Sequence, residues 1–372
     1  MRRLLLLLAL FAATVAAAPA PPPSSWTMFR GDPQQTGRAA DELPADLKPL
    51  WTFKAGDAIS STAAVADGTV WVGSLDGNLY ALDLASGKLR WKYKAADAVK
   101  SSPSVKDGVV YFGDSKGTFH ALDAKTGKVR WTFATEGEIV SSASFAAGCV
   151  LFGSYDQSLY CLGERDGKLR WKVETDGFVH GTPAVSSEKA GDTVISSGCD
   201  GFLRIVRAQD GKELRKVALG GYVAASPAVS GNRAFLGSFE NQVLGIDLAA
   251  GSVLWRYEHP VRQFPFYASA AVAGDKVLVG GRDQMIRALD AATGKELWSF
   301  SARSAVDSSP VVAGTRVFAG SKSGAIFALD LATGKQAWRF EAGASVEASP
   351  AVAAGRLVIG TMDGTLYCFG AP

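Results

Sequence analysis

Short apolar runs separated by glycine-containing polar turns recur along nearly the whole chain, and they recur at a fixed interval. The clearest copy spans residues 320–338. An apolar run over 325–329 follows a turn that contains Gly324, and Thr333, Gly334 and Lys335 make a second turn before the strand that carries Trp338. Trp51, Trp91, Trp131, Trp171, Arg215, Trp255, Trp298 and Trp338 hold the same place in successive copies, at spacings of 40, 40, 40, 44, 40, 43 and 40 residues. A period of about 40 suits either paired helices or four-stranded propeller blades. The runs at 109–112, 277–279 and 356–359 are short, β-rich and bounded by Gly and Asp, with no 3.6-residue stripe, so strands are predicted.

The pattern therefore predicts an all-β, eight-bladed β-propeller of four-stranded antiparallel blades. Segments beginning at Ile59, Val99, Ile139, Val179, Val223, Phe266, Val306 and Val346 read as the eight innermost strands. The last copy stops at Phe369 without a tryptophan strand, whereas residues 49–53 form an outermost strand with nothing before it. The N-terminal strand is thus expected to complete the last blade, which closes the ring and limits exposed edges.

Composition changes this picture little. Forty-one glycines among 372 residues, with 47% hydrophobic and 20% charged positions, suit one large β-domain over residues 49–369. The net charge is only +3 and includes Arg2 and Arg3, so no basic stripe argues for nucleic acid. Residues 1–20 read as an export signal: Arg2 and Arg3 lead an apolar stretch over 4–18, which ends in small residues and is shorter than the ~20 apolar residues of a membrane span. The expected product is an exported monomer of the periplasm or the medium, soluble and with no transmembrane segment or lipidation cysteine. Residues 21–48 read as a Pro-rich linker and an N-terminal arm, whose Trp26 and Phe29 are expected to pack on the ring.

Four cysteines form no obvious framework. Cys149 and Cys161 fall on neighbouring strands of one blade and either pair or, as core-like thiols suggest, stay isolated with Cys199 and Cys368. No His/Cys cluster has zinc-ligand spacing, and no metal site is expected.

Candidate chemistry lies near the axis. Aligning the innermost segments puts one variable residue per blade at a common level: Ser60, Lys100, Val140, His180, Ala224, Tyr267, Asp307 and Glu347. Lys100, His180, Tyr267, Asp307 and Glu347 are the channel-rim ligand candidates; the plainer alternative is a hydrated rim of offsetting charges. The sixth blade carries an aromatic insertion over 259–267, where Arg262, Phe264 and Phe266 either bind a partner or fold back to plug the channel. In the fourth blade Arg215 replaces the tryptophan, and with Arg204 and Arg207 it makes that blade locally basic, either as a surface for an acidic partner or as tolerated variation with solvated charges.

The motif Ala-x-Asp-x-x-Thr-Gly-Lys-x-x-Trp stands at residues 121–131, 288–298 and 328–338, with a close copy at 81–91. It resembles the PQQ-repeat, or quinoprotein-dehydrogenase-like, propellers over roughly residues 49–369. No docking tryptophan is followed by Asp, so the WD-repeat pattern fits worse. The resemblance implies that each tryptophan packs between adjacent blades. It also implies one of two roles. The dehydrogenase branch would bring pyrroloquinoline quinone (PQQ), calcium, a vicinal cysteine pair and a catalytic Asp, none of which can be carried onto positions here, so catalytic residues and cofactors are both read as none. The non-enzymatic, BamB-like branch matches in size, export signal and repeat number. The expectation is a cell-envelope scaffold that binds a protein partner, in the manner of outer-membrane assembly machinery; the alternative is a PQQ-dependent dehydrogenase-like enzyme, or a propeller holding a small ligand or carbohydrate in its channel.

Overall fold

The computed structural model describes residues 24–188 and 191–371. The export-signal reading of residues 1–20 lies outside them. The described chain forms eight four-stranded antiparallel sheets, which stand as blades around one axis. In blade 7 the strands run from the axis outward as Val311–Ala313, Arg316–Gly320, Ala325–Asp330 and Gln336–Glu341. The middle two strands are buried on both faces and are therefore nearly continuous in apolar residues, while the outermost alternates toward solvent. No helix among the described residues is long and apolar enough to cross a membrane.

The eighth blade is made from both ends of the chain. Lys48–Lys54 pairs antiparallel with Thr365–Gly370, placing Trp51 opposite Cys368 and Thr52 opposite Tyr367. This is the closure predicted from the sequence. The hairpin before Thr365 turns at Gly364, whose φ of 85° lies where a side chain would be strained.

Each docking tryptophan sits beside a β-bulge in its outermost strand. In blade 7 Ala328 pairs with Trp338, but Leu329 pairs with Gln336. The extra residue turns the ring toward the next blade. There the indole donates to a backbone carbonyl: Trp51 to Leu84 at 2.9 Å, Trp171 to Ala208 at 2.9 Å and Trp338 to Leu47 at 3.1 Å. Trp91, Trp131, Trp255 and Trp298 do the same with Ala124, Glu164, Ala291 and Leu331. Arg215 lies against Gly251 at the corresponding seam, its aliphatic stem replacing the indole.

Three readings need correction, and one open alternative, the pairing of the cysteines, is resolved. The innermost strand of blade 7 begins at Val311, not at Val306. Residues ahead of it bond to neighbouring blades instead: Val306 N–H to Gly281 O and Ser309 N–H to Ser349 Oγ. Arg204 is not a surface cation, because it is buried against Asp200 and Glu213, while Arg207 pairs with Asp210. Cys149 and Cys161 are joined as a disulfide between adjacent strands, leaving Cys199 and Cys368 free. Phe266 neither faces a partner nor plugs the channel. It is 3% exposed and packs with Phe235, Val243 and Trp255 between blades 5 and 6, at the level that Val306 and Val346 occupy elsewhere.

Candidate functional site

One end of the axis is sealed by the N-terminal arm. Trp26 and Val65 of blade 1 exchange two backbone hydrogen bonds, and the N–H groups of Val105, Val185, Val229, Val272 and Val312 then donate in turn to Thr27, Pro33, Gln34, Thr36 and Gly37. Gln35 reaches Ser144 of blade 3, and Ser24 and Asp41 accept from Ala354 and Gly355 of blade 8. The arm thus touches all eight blades. Arg30, fully buried, extends its guanidinium to the carbonyls of Ser309, Ala270 and Pro310. Burial lowers its pKa to about 9, which still leaves it a cation at neutral pH.

Above this floor is a blind well of about 200 Å³, with Phe29 of the arm at its base. Midway up runs a belt of hydroxyls. Backbone N–H groups of Thr62, Ser102, Ser142, Thr182, Ser226, Ser269 and Ser309 each donate to the side-chain hydroxyl of the next blade, ending at Ser349, over 2.8–3.0 Å. At the seam between the last blade and the first, Thr62 Oγ1 has no hydrogen-bond partner. These small side chains belong at the crowded axis, and their bonds replace a sheet ladder between blades.

All eight residues aligned from the sequence line the well. They do not act alone, because a second ring interlocks with them. The residue two beyond the second-strand glycine, a position held by Ser197 in blade 4, donates its N–H to the carbonyl just ahead of each seam residue, as Tyr155 does to Glu138, Arg282 to Pro265 and Lys322 to Ala305. That bond brings Tyr155, Arg282 and Lys322 to the mouth. No one of them follows from the innermost segments; a second alignment, on the glycines at 153, 280 and 320, would have found them.

The mouth divides into two halves. On one, His180 bridges Tyr155, at 2.6 Å from Nδ1, and Tyr267, at 3.1 Å from Nε2. Tyr267 reaches over the small Ala224 of the intervening blade to do so. Burial, reinforced by the Lys100 charge and opposed by Glu138, lowers the His180 pKa to about 4, so the imidazole is neutral and must donate to one tyrosine and accept from the other. Burial raises the Tyr267 hydroxyl, with Asp307 adding to it. On the other half Asp307 takes two bonds from Arg282, at 2.9 and 3.0 Å, and one from Lys322 at 2.9 Å. Lys322 also meets Glu347 at 3.4 Å, and Lys100 pairs with Glu138 at 2.8 Å. Burial would raise the Asp307 carboxyl, but the bonds from Arg282 and Lys322 outweigh it and hold the group below its ordinary range.

The remaining candidates lie on the face around the mouth. Phe264 is 51% exposed, and Arg262 is exposed with a long 3.4 Å contact to Asp283 O. Phe178 and Tyr222, on the loops entering blades 4 and 5, are 46% and 62% exposed and went unremarked in the sequence. Phe178 stacks on Tyr155 at 4.6 Å between ring centroids.

A quinone–calcium pair does not suit this mouth. Its acids, Glu138, Asp307 and Glu347, are engaged by Lys100, Arg282 and Lys322, and among the described residues no three metal-ligating side chains gather. The cysteine pair sits between strands of blade 3, not at the mouth.

A closed ring of eight blades, sealed below and open above, defines the protein as an eight-bladed β-propeller. The family model described as outer membrane protein assembly factor BamB matches residues 43–147, 190–284 and 282–371, and the chain belongs to that PQQ-repeat family. Among solved structures, BamB from Moraxella catarrhalis is similar at 20% identity and a TM-score of 0.74, covering 88% of this chain and 98% of that one. The computationally designed Ika8 protein is similar at 20% identity and 0.75, covering 87% and 100%. Quinohemoprotein alcohol dehydrogenase from Comamonas testosteroni is similar at 15% identity and 0.81, covering 94% and 81%. At these identities the likenesses concern the fold. No curated protein matches the chain.

Proposed function

We propose that the protein is a non-enzymatic scaffold of the cell envelope that docks a protein partner on the mouth face, within outer-membrane assembly machinery. The observation that carries this reading is the crescent of exposed apolar side chains on three consecutive blades. Phe178, Tyr222 and Phe264 are joined there by Val261, which is 83% exposed. Large aromatic groups beside an exposed Arg262 have the composition of a binding hot spot, and leaving them in water is costly unless something covers them. Membership of a family described as an assembly factor supports the same role. Quinone chemistry is left out, since the mouth carboxylates are held by cations of the protein itself.

Crosslinking in the native envelope followed by mass spectrometry identifies the partner. A Phe178→Ser, Tyr222→Ser, Phe264→Ser triple variant should then lose at least about tenfold in affinity with its thermal transition unchanged. Undiminished capture by that variant would overturn the crescent as the docking site. Turnover on adding quinone and calcium, followed by dye reduction, would overturn the non-enzymatic reading.

A further inference from the structure

The hydroxyl belt carries hydrogen-bonding capacity that the protein does not use. Each hydroxyl can donate once and accept twice. Ser102, Ser142, Thr182 and their counterparts accept one backbone N–H each, yet among the described residues none of the belt hydroxyls donates its own proton to a protein acceptor. Thr62, 2% exposed, lines the same cavity, and its Oγ1, itself closed off from it, has no protein partner at all. Buried polar groups seldom go unpaired, so the belt calls for an occupant that brings oxygen atoms to its centre.

The surroundings narrow the class. Above the belt are acceptors, the carboxylates of Glu347 and Asp307, and His180, which can act either way. Below it is the apolar ring of Phe29. Water would satisfy the belt but gains nothing from an aromatic floor, whereas a compact polyol offers oxygens to the hydroxyls, O–H groups to the carboxylates and a C–H face to the ring. An anion fits worse, because the mouth cations Lys100, Arg282 and Lys322 are already matched by Glu138, Asp307 and Glu347. The volume of about 200 Å³ lies below the roughly 300–1,000 Å³ of drug-sized pockets and limits the occupant to one ring.

We infer that the well is a binding site for a single neutral pyranose, either free or as the terminal unit of a glycan. A blind pocket takes an end and not the middle of a chain. The site is distinct from the aromatic crescent, so it stands or falls independently of partner docking.

Calorimetric titration of the full-length protein with glucose, galactose and N-acetylglucosamine should give saturable binding to at least one of them, with Kd roughly 1 mM or tighter. A trisaccharide ending in the same sugar separates the sources: tighter binding assigns a glycan end, and equal or weaker binding a free sugar. Glu347→Gln should weaken binding about tenfold by removing a charged acceptor. Ala224→Phe, which fills the well from blade 5, should abolish it, and the thermal transition of each variant is recorded alongside to verify folding. Absence of saturable binding to the whole panel, or full affinity in folded Ala224→Phe or Glu347→Gln, overturns the inference.

Discussion

The two ends of the axis are built by different rules. At the floor, equivalent backbone groups do the same thing blade after blade: Val65, Val105, Val185, Val229, Val272 and Val312 each donate an N–H to the arm. At the mouth, equivalent positions carry Ser, Lys, Val, His, Ala, Tyr, Asp and Glu, and no two blades present the same pair of side chains. Repetition at the floor uses main-chain atoms, which every residue supplies, and so it constrains shape. Variation at the mouth uses side chains, whose differences serve no packing need once the ring is closed. The floor is therefore where stability should be most sensitive to substitution, and the mouth is where recognition should be.

Trp26→Ala is the strongest way to break the floor. The indole is 1% exposed and packs into the core shared by blades 1, 7 and 8, while its backbone anchors the start of the arm. Truncation should cost about 3–5 kcal/mol, measured as a lowered urea midpoint at unchanged slope. A loss within about 0.5 kcal/mol would mean that the arm decorates the ring without holding it. Gly37→Ala is the next test. Gly37 has φ of 65°, and a Cβ there would collide with the Arg30 guanidinium. The left-handed backbone alone should cost about 1–2 kcal/mol, read from the same unfolding curves. Equal stability of the variant and the wild type would separate the arm's path from ring stability.

The same contrast explains what could be read in advance. The floor and the ring followed from periodicity because their chemistry is repeated: eight seam positions, tight Gly-containing turns and an unpaired first strand fix the blade count and the closure. One ring of mouth residues was legible for the same reason, since aligning repeats puts Lys100, His180 and Asp307 at one level. Their partners were not. Arg282, Lys322 and Tyr155 come from a different strand turn and meet the first ring only in three dimensions. Phe266 shows the reverse error: in an aromatic insertion it reads as exposed, yet the fixed Val/Ile position of the inter-blade seam captures it, and Phe264 is left outside. Phe29 was expected on the ring, but its place at the base of the well was not legible, because the route of the arm across the axis depends on bonds to six separate blades before it ends at blade 7 and blade 8.

The smallest expected effect, and the one that sharpens the contrast most, is a pH dependence belonging to the mouth alone. His180 faces Tyr155 and Tyr267, with Lys100 and Glu138 as the nearest charges, and its pKa lies near 4 against an ordinary 6.5. The folded state holds the imidazole neutral, so between those values the unfolded chain binds the extra proton. Stability contributed by this group is therefore complete above pH 6.5 and is lost as pH falls toward 4. His180→Gln keeps one donor and one acceptor for the two tyrosines but cannot take up a proton. The wild-type melting temperature should fall more steeply than that of the variant between pH 6.5 and 4, and the two curves should run parallel above pH 7. Every other titratable group, including Asp32 of the floor, whose carboxyl is raised by burial, is common to both proteins, so the difference between the curves isolates the mouth. Parallel curves throughout would mean that the imidazole is hydrated and that the Tyr155–His180–Tyr267 bridge does not persist in solution.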